Sequence, residues 1–151
     1  MLIWPIAGAS RSTLNVADKP GEGDGHFGSR RSRGKHSGID IQAASGTFVL
    51  AAGDGVFVRI LPNPSTTYGT QVAIEHEKNK LYTVYCHLLF NSDCNVIGAA
   101  VKAGTVIGMV GRTGNTPTQG DTHLHFEVRL NSCLPRTAGG MVADPLDYLP
   151  A

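Results

Sequence analysis

The chain has 151 residues and a formal charge of +1, with acidic and basic side chains interspersed along it. That length suffices for one domain with a proper core and no staples. The charge balance, with no basic helix and no aromatic RNA-reading strand, does not suggest a nucleic-acid fold, and no apolar stretch is long enough to be a transmembrane helix.

Taken in chain order, the opening MLIWPIAGAS has no positive region, and Pro5 breaks its short apolar run, so it does not read as a secretory leader. Residues 15–38, NVADKPGEGDGHFGSRRSRGKHSG, form a long polar segment of the kind that is functional or disordered in compact domains. Within it Arg30, Arg31, Arg33 and Lys35 make a basic run, read as a solvated loop rather than a seat for an anionic polymer. His26 reads as a solvated loop residue. In HSGID, His36 and Asp40 flank Gly38 with the same parity, so an extended chain points both one way while Ile39 and Ile41 face a core.

Strand-like runs follow: TFVLAA, GVFVRI, TQVAIEH, LYTVYCHLLF, GTVIGMVG and THLHFEVRL, separated by turn chemistry such as AGDG, PNPSTTYG and EKNK. His76, at the end of one run, reads as a strand-end hydrogen bonder. In LYTVYCHLLF, Val84, Cys86 and Leu88 alternate against Tyr85 and His87, which makes Cys86 a small core residue. The three cysteines, Cys86, Cys94 and Cys133, lack CxxC spacing and argue against a disulfide framework, with one pair left open. A second long polar segment, RTGNTPTQGD, runs into THLHFEVR. That strand places His123, His125, Glu127 and Arg129 on one face and Leu124, Phe126 and Val128 on the other. The pattern predicts a single all-β domain over residues 1–151, built of antiparallel hairpins as two packed sheets or a flattened barrel.

An imidazole and a carboxylate on one strand entrance, with a third ligand imidazole from another strand, make a three-ligand zinc site, whose fourth position protein closes in structural sites and water takes in catalytic ones. Two histidines and a carboxylate also suit non-haem iron. HxxxD and HxH are each weak signals; their co-occurrence with a further strand histidine in VYCHL is stronger.

The run FGSRRSRGKHSGIDI, then VYCHL, then THLHFEVR, resembles the three signature segments of the LytM-type (M23, lysostaphin-like) zinc metallopeptidases. MLIWPI, GTFVLAAGDGVFVRI, YGTQVAIEH, VKAGTVIGMVGRTGNT and DPLDYL also have counterparts there, in order. The resemblance implies ligation of one Zn2+ by His36, Asp40 and His125, with His87 and His123 beside the metal without binding it. It further implies cleavage of peptide bonds in bacterial peptidoglycan, on a LytM-type antiparallel β scaffold with a groove between long loops.

The residues' own chemistry stands beside this. No HExxH is present, so no motif glutamate serves as general base, and a histidine with its ordinary pKa near ~6.5 can do so. His87 and His123 are expected to share two roles. One orients and deprotonates the attacking water; the other stabilises the oxyanion or protonates the leaving amine. Glu127 either accepts an N–H of His125 or is an exposed strand-end carboxylate paired with Arg129.

The insertion RRSRG and the long segment LLFNSDCNVIGAAVKAG are expected to rim the groove without touching the ligands. Asn15 or Asp18 could cover the metal as a fourth ligand. Two rivals are a non-catalytic M23-like module that binds glycan or an assembly partner, and a biotinyl or lipoyl carrier domain, which VKAGTVIGMVG resembles. The carrier reading leaves the histidines unexplained and lacks a lysine at a hairpin tip. The expected setting is a monomeric lytic domain without an export signal, made in the cytoplasm and released onto the wall as a phage-type endolysin, or cut from a secreted hydrolase. Glycine bridges and D-alanine–diaminopimelate bonds are both open as targets.

Overall fold

Runs of β-branched and aromatic residues with period-two polarity cannot bury an apolar face alone, and in this chain they pair into one antiparallel system. The computed structural model describes residues 1–14, 24–32, 34–62, 67–92, 95–116 and 121–151. Its strands are β1 (Arg30–Arg31), β2 (Gly34–Lys35), β3 (Ile39–Gln42), β4 (Phe48–Leu50), β5 (Gly55–Leu61) and β6 (Thr70–Glu77). They continue as β7 (Leu81–Asn91), β8 (Ala100–Val101), β9 (Val106–Val110), β10 (His123–Leu130) and β11 (Met141–Ala143). Helical turns among the described residues are three short 3-10 segments, and none is long and apolar enough to cross a membrane.

The expected antiparallel all-β architecture is a single folded ladder of nine strands among the described residues, in the order β11-β10-β7-β6-β5-β8. β3 joins the first half of β10, and β4 joins through β9, which pairs with the far end of β7. β1 and β2 form a separate hairpin. The layers meet over a core in which Ile39, Ile41, Leu124, Phe126 and Val128 are fully buried, as their parity predicts, with Phe57, Ile74, Leu88 and Ile107.

The parity reading of β7 needs correction. Tyr85 and Leu88 both enter the main core, whereas Val84 and Cys86 pack in a second cluster with Ala73, Val58, Tyr68 and Cys133. The cause is His87, whose φ of 61° places a non-glycine residue in the left-handed region and breaks the alternation. The strand changes partners there: Leu81–Cys86 pair with β10, and Leu88–Asn91 pair with β9. The Tyr85 hydroxyl accepts from the Ala52 amide at 2.7 Å and from the Thr83 hydroxyl at 2.9 Å, so its burial leaves the oxygen satisfied. Cys86 is buried as expected, and burial pushes its thiol well above the ordinary range. Cys86 and Cys133 are free thiols, and Cys94 lies outside the described residues.

Phe126 packs its ring 5.3 Å from that of Tyr85 at the centre of this core. Phe126→Ala is expected to destabilise the fold by about 3–5 kcal/mol. A urea titration would read this as a lower midpoint at unchanged slope.

Candidate metal centre

Register brings the first part of the site together. β3 and β10 pair so that Asp40 stands directly opposite His125, and the buried Ile39 and Ile41 force Asp40 onto the other face. The approach demands glycine at position 38, where a Cβ would collide with the Phe126 carbonyl and come within 2.9 Å of Glu127 Cγ. His36 arrives on the segment just before, held by its amide to the Ser29 carbonyl at 2.8 Å and by its carbonyl to the Gly28 amide at 2.9 Å.

His36, Asp40 and His125 then converge. His36 Nε2 lies 3.0 Å from His125 Nδ1 and 3.1 Å from Asp40 Oδ1, and His125 Nδ1 lies 2.9 Å from the same oxygen. All three residues are buried. The outer contacts assign the tautomers. His36 Nδ1–H donates to the His26 carbonyl at 2.9 Å, and His125 Nε2–H donates to Glu127 Oε1 at 2.9 Å. Each imidazole therefore turns a lone pair inward, onto a carboxylate oxygen that can only accept.

Three ligand atoms at contact distance could hold a cation between them. A tetrahedral ion at roughly 2.0–2.1 Å from each ligand would hold them about 3.3 Å apart, so a small relaxation admits it. The donor set, two imidazoles and one carboxylate without thiolate, fits zinc. In the metal-free chain a proton takes the cation's place. Burial alone would lower the His125 pKa, but the Asp40 and Glu127 carboxylates carry it up to about 9. Burial would raise the Asp40 carboxyl, yet hydrogen bonds and charge from His125 and His36 hold it well below its ordinary value.

Two further imidazoles border this cluster. His123 shares the face of His125, with Nε2 3.6 Å from Asp40 Oδ1. Its ring centroid is 5.5 Å from that of His87, which is 5.9 Å from His125. His87 Nδ1–H donates to the Thr113 carbonyl at 2.8 Å, so Nε2 keeps its lone pair. Burial pushes the His87 pKa down to about 3, helped by the charges of His125 and His123, and burial also lowers His123. Both are neutral at neutral pH.

Several participants are invisible to alternation. Thr113, from the irregular segment after β9, fixes His87 and is itself held by its hydroxyl to the Leu88 carbonyl at 2.7 Å and by the Thr70 amide at 3.0 Å. Gly69 makes room for it, since a Cβ there would collide with the Thr113 backbone. The basic run is a hairpin rather than a loop, and it does touch a ligand. Arg31 Nη2 donates to Asp40 Oδ2 at 3.0 Å, which leaves Oδ1 to the cluster. Arg33, Asn15 and Asp18 lie outside the described residues. Glu127 makes both contacts considered for it, to His125 and to Arg129 at 2.7 Å, but it is fully buried rather than exposed. His26 and His76 keep peripheral places: His26 is half-exposed against Asp24, and His76 lies between the Asp54 carbonyl at 2.8 Å and the Thr83 hydroxyl at 2.6 Å.

The antiparallel β scaffold thus gathers two imidazoles and a carboxylate that could hold a metal ion, beside two further histidines. The chain belongs to peptidase family M23, whose family model matches residues 34–135 and so includes every residue of the cluster but not Arg31. It is 40% identical over 96 residues to the DD-carboxypeptidase/endopeptidase Mpg of Neisseria meningitidis, an alignment covering 64% of this chain and 20% of that protein. It is 34% identical over 143 residues to the glycyl-glycine endopeptidase ALE-1 of Staphylococcus capitis, covering 93% and 36%. The catalytic domain of lysostaphin from Staphylococcus simulans superposes with a TM-score of 0.66 at 29% identity, over 86% of this chain and 90% of that one. The chain spans about a fifth of the length of the Neisseria relative.

Proposed function

We propose that this chain is a zinc-dependent endopeptidase that hydrolyses cross-linking or stem peptides of bacterial peptidoglycan, with residues 1–151 acting as one catalytic unit around one zinc ion. The observation that carries the reading is the convergence of His36 Nε2, Asp40 Oδ1 and His125 Nδ1 within 3.1 Å of one another, with the outer ring nitrogen of each imidazole held by an acceptor. These three residues would hold the metal. When bound, zinc lowers the pKa of a water toward ~7 and polarises a carbonyl.

The remaining chemistry belongs to the chain's own side chains. His87 and His123 share the proton transfers in this reading: the Nδ1–H of His87 is tied to Thr113, which leaves its Nε2 lone pair to the reacting groups. The positive φ of His87 is the kind of strained backbone that persists where the surroundings over-determine a reactive geometry. His123 stands nearer Asp40, where its Nε2 side can bind the oxyanion or pass a proton to the leaving amine. Arg31 holds Asp40 through Oδ2, which presents a single oxygen to the cluster.

The test is digestion of defined peptidoglycans, one with glycine bridges and one with directly cross-linked stem peptides, followed by mass analysis of the fragments. Zinc-loaded protein is expected to release new peptide amino termini from at least one of them and to leave the glycan strands whole. Intact peptide in both substrates would sink the reading.

A further inference from the structure

Glu127 and Arg129 stand where alternation along β10 would put water-facing side chains, yet both are fully buried, at 0% exposure. Tyr68 and the backbone at Cys133 lie against Arg129, and Ser37 and His125 against Glu127. Stability does not explain this. A buried ion pair is often no better than packed apolar residues of the same volume, because both charges lose their hydration. Arg129 also keeps Nη2 buried without a hydrogen-bond partner among the described residues, a cost the fold accepts.

The geometry instead leads to the metal centre. Glu127 Oε1 accepts from His125 Nε2–H at 2.9 Å and from the Ser37 hydroxyl at 2.6 Å. Its other oxygen accepts from Arg129 Nε at 2.7 Å. Arg129 Nη1 donates to the Cys133 carbonyl at 2.6 Å, and the guanidinium carbon lies 5.6 Å from the centroid of the Tyr68 ring, itself 5.8 Å from that of His125. Each carboxylate oxygen is therefore held by a different fixed group, and the carboxylate cannot swing away from the imidazole.

We infer that Arg129 is a positioning residue for the metal centre: through Glu127 it fixes the tautomer and orientation of His125, so that Nδ1 presents its lone pair to the metal. Ser37 supports the same oxygen from the entrance of β3. The chain Arg129–Glu127–His125 is the device by which one strand both aims a ligand and keeps it basic. This inference rests on the metal reading of the site.

The experiment measures Zn2+ affinity by competition with a chromophoric chelator, and the visible absorption of the Co2+-loaded protein, in the full chain. Glu127→Gln has one acceptor oxygen where the carboxylate has two. With that oxygen given to Arg129, its amide group faces His125 Nε2 and favours the opposite tautomer. Glu127→Gln and Arg129→Met are each expected to weaken Zn2+ binding by about 10–100-fold. Each should also alter the Co2+ spectrum. Arg129→Lys should recover part of the affinity, since an ammonium can reach Glu127 but cannot keep the Cys133 contact. A purely structural role would lower the melting temperature and leave the affinity and Co2+ spectrum of the folded variants at wild-type values, and that result overturns the inference. Should Arg129→Met not fold, Glu127→Gln, which preserves side-chain shape, carries the same decision. Wild-type protein that binds neither metal overturns the reading of the site itself; equal binding by wild type and variants overturns the positioning role alone.

Discussion

His125→Ala is expected to abolish metal binding and hydrolysis together, whereas His87→Ala and His123→Ala should slow hydrolysis by orders of magnitude and leave the metal bound. The contrast follows from where the nitrogens lie. His125 Nδ1 is within 3.0 Å of His36 Nε2 and 2.9 Å of Asp40 Oδ1, so its removal deletes a ligand atom. His87 is tethered to Thr113 and reaches the cluster only edge-on, and His123 stays 3.6 Å from the shared oxygen. A positioned acid or base is worth about 10²–10⁴-fold in rate, and each of the two alanine variants should lose on that order in kcat. Metal content per chain and peptide turnover, measured on the same preparations, check both halves. Near-wild-type turnover in His87→Ala and His123→Ala alike would remove both from the chemistry.

Chelation is expected to abolish activity and zinc to restore it, with a thermal signature whose size depends on pH. In the metal-free chain the folded pKa of His125 is raised to about 9 from 6.5, burial being outweighed by the Asp40 and Glu127 carboxylates. A raised folded pKa contributes stability that is complete below the unfolded value of 6.5 and is lost as pH climbs through 9. Bound zinc occupies the same lone pair and needs no proton. The gap in Tm between zinc-loaded and metal-free protein should therefore widen from pH 6 to pH 9, by about 2–4 °C for each kcal/mol recovered. Zinc affinity should fall by about tenfold per pH unit below the His125 pKa, because each ion displaces one proton. Activity that survives prolonged chelation would count heavily against the metal.

Acid should weaken the fold through two different groups. Burial would raise the Glu127 pKa, but His125 and Arg129 hold it at about 2, below the usual 4.5, so its stabilisation is present above 4.5 and is lost as pH falls toward 2. His87 is buried neutral, with a folded pKa of about 3 against 6.5, so protonation of the unfolded chain erodes stability as pH drops through that interval. Melting curves across that range, with and without zinc, separate these contributions from that of His125.

How much of this was legible beforehand depends on the kind of information each residue carries. Leu124, Phe126 and Val128 reached the core as β10 alternation required, and Ile39 and Ile41 pinned the parity that aims Asp40. The grouping of His36, Asp40 and His125 was accessible because parity offered two of the residues and the resemblance to LytM-type peptidases offered the set. β7 resisted the same treatment because a single left-handed residue, His87, cannot be seen in a polarity pattern, and past it Leu88 joins the main core rather than the cluster of Val84 and Cys86. Arg31 was placed in a solvated loop because charge alone does not reveal that a hairpin folds back onto Asp40.

By itself the sequence determined an antiparallel β domain, the inward sets of its best strands and the identity of the residues with ligand chemistry. These are local properties, set by the two-residue period of a strand and by the donor atoms each side chain owns. The tertiary structure alone decided what covers each face and which nitrogen points where. The polar face of β10, on its own pattern open to water, became a sealed row in which Glu127 and Arg129 hold His125, because Tyr68, distant in sequence, and the backbone at Cys133, just past the strand, close over Arg129.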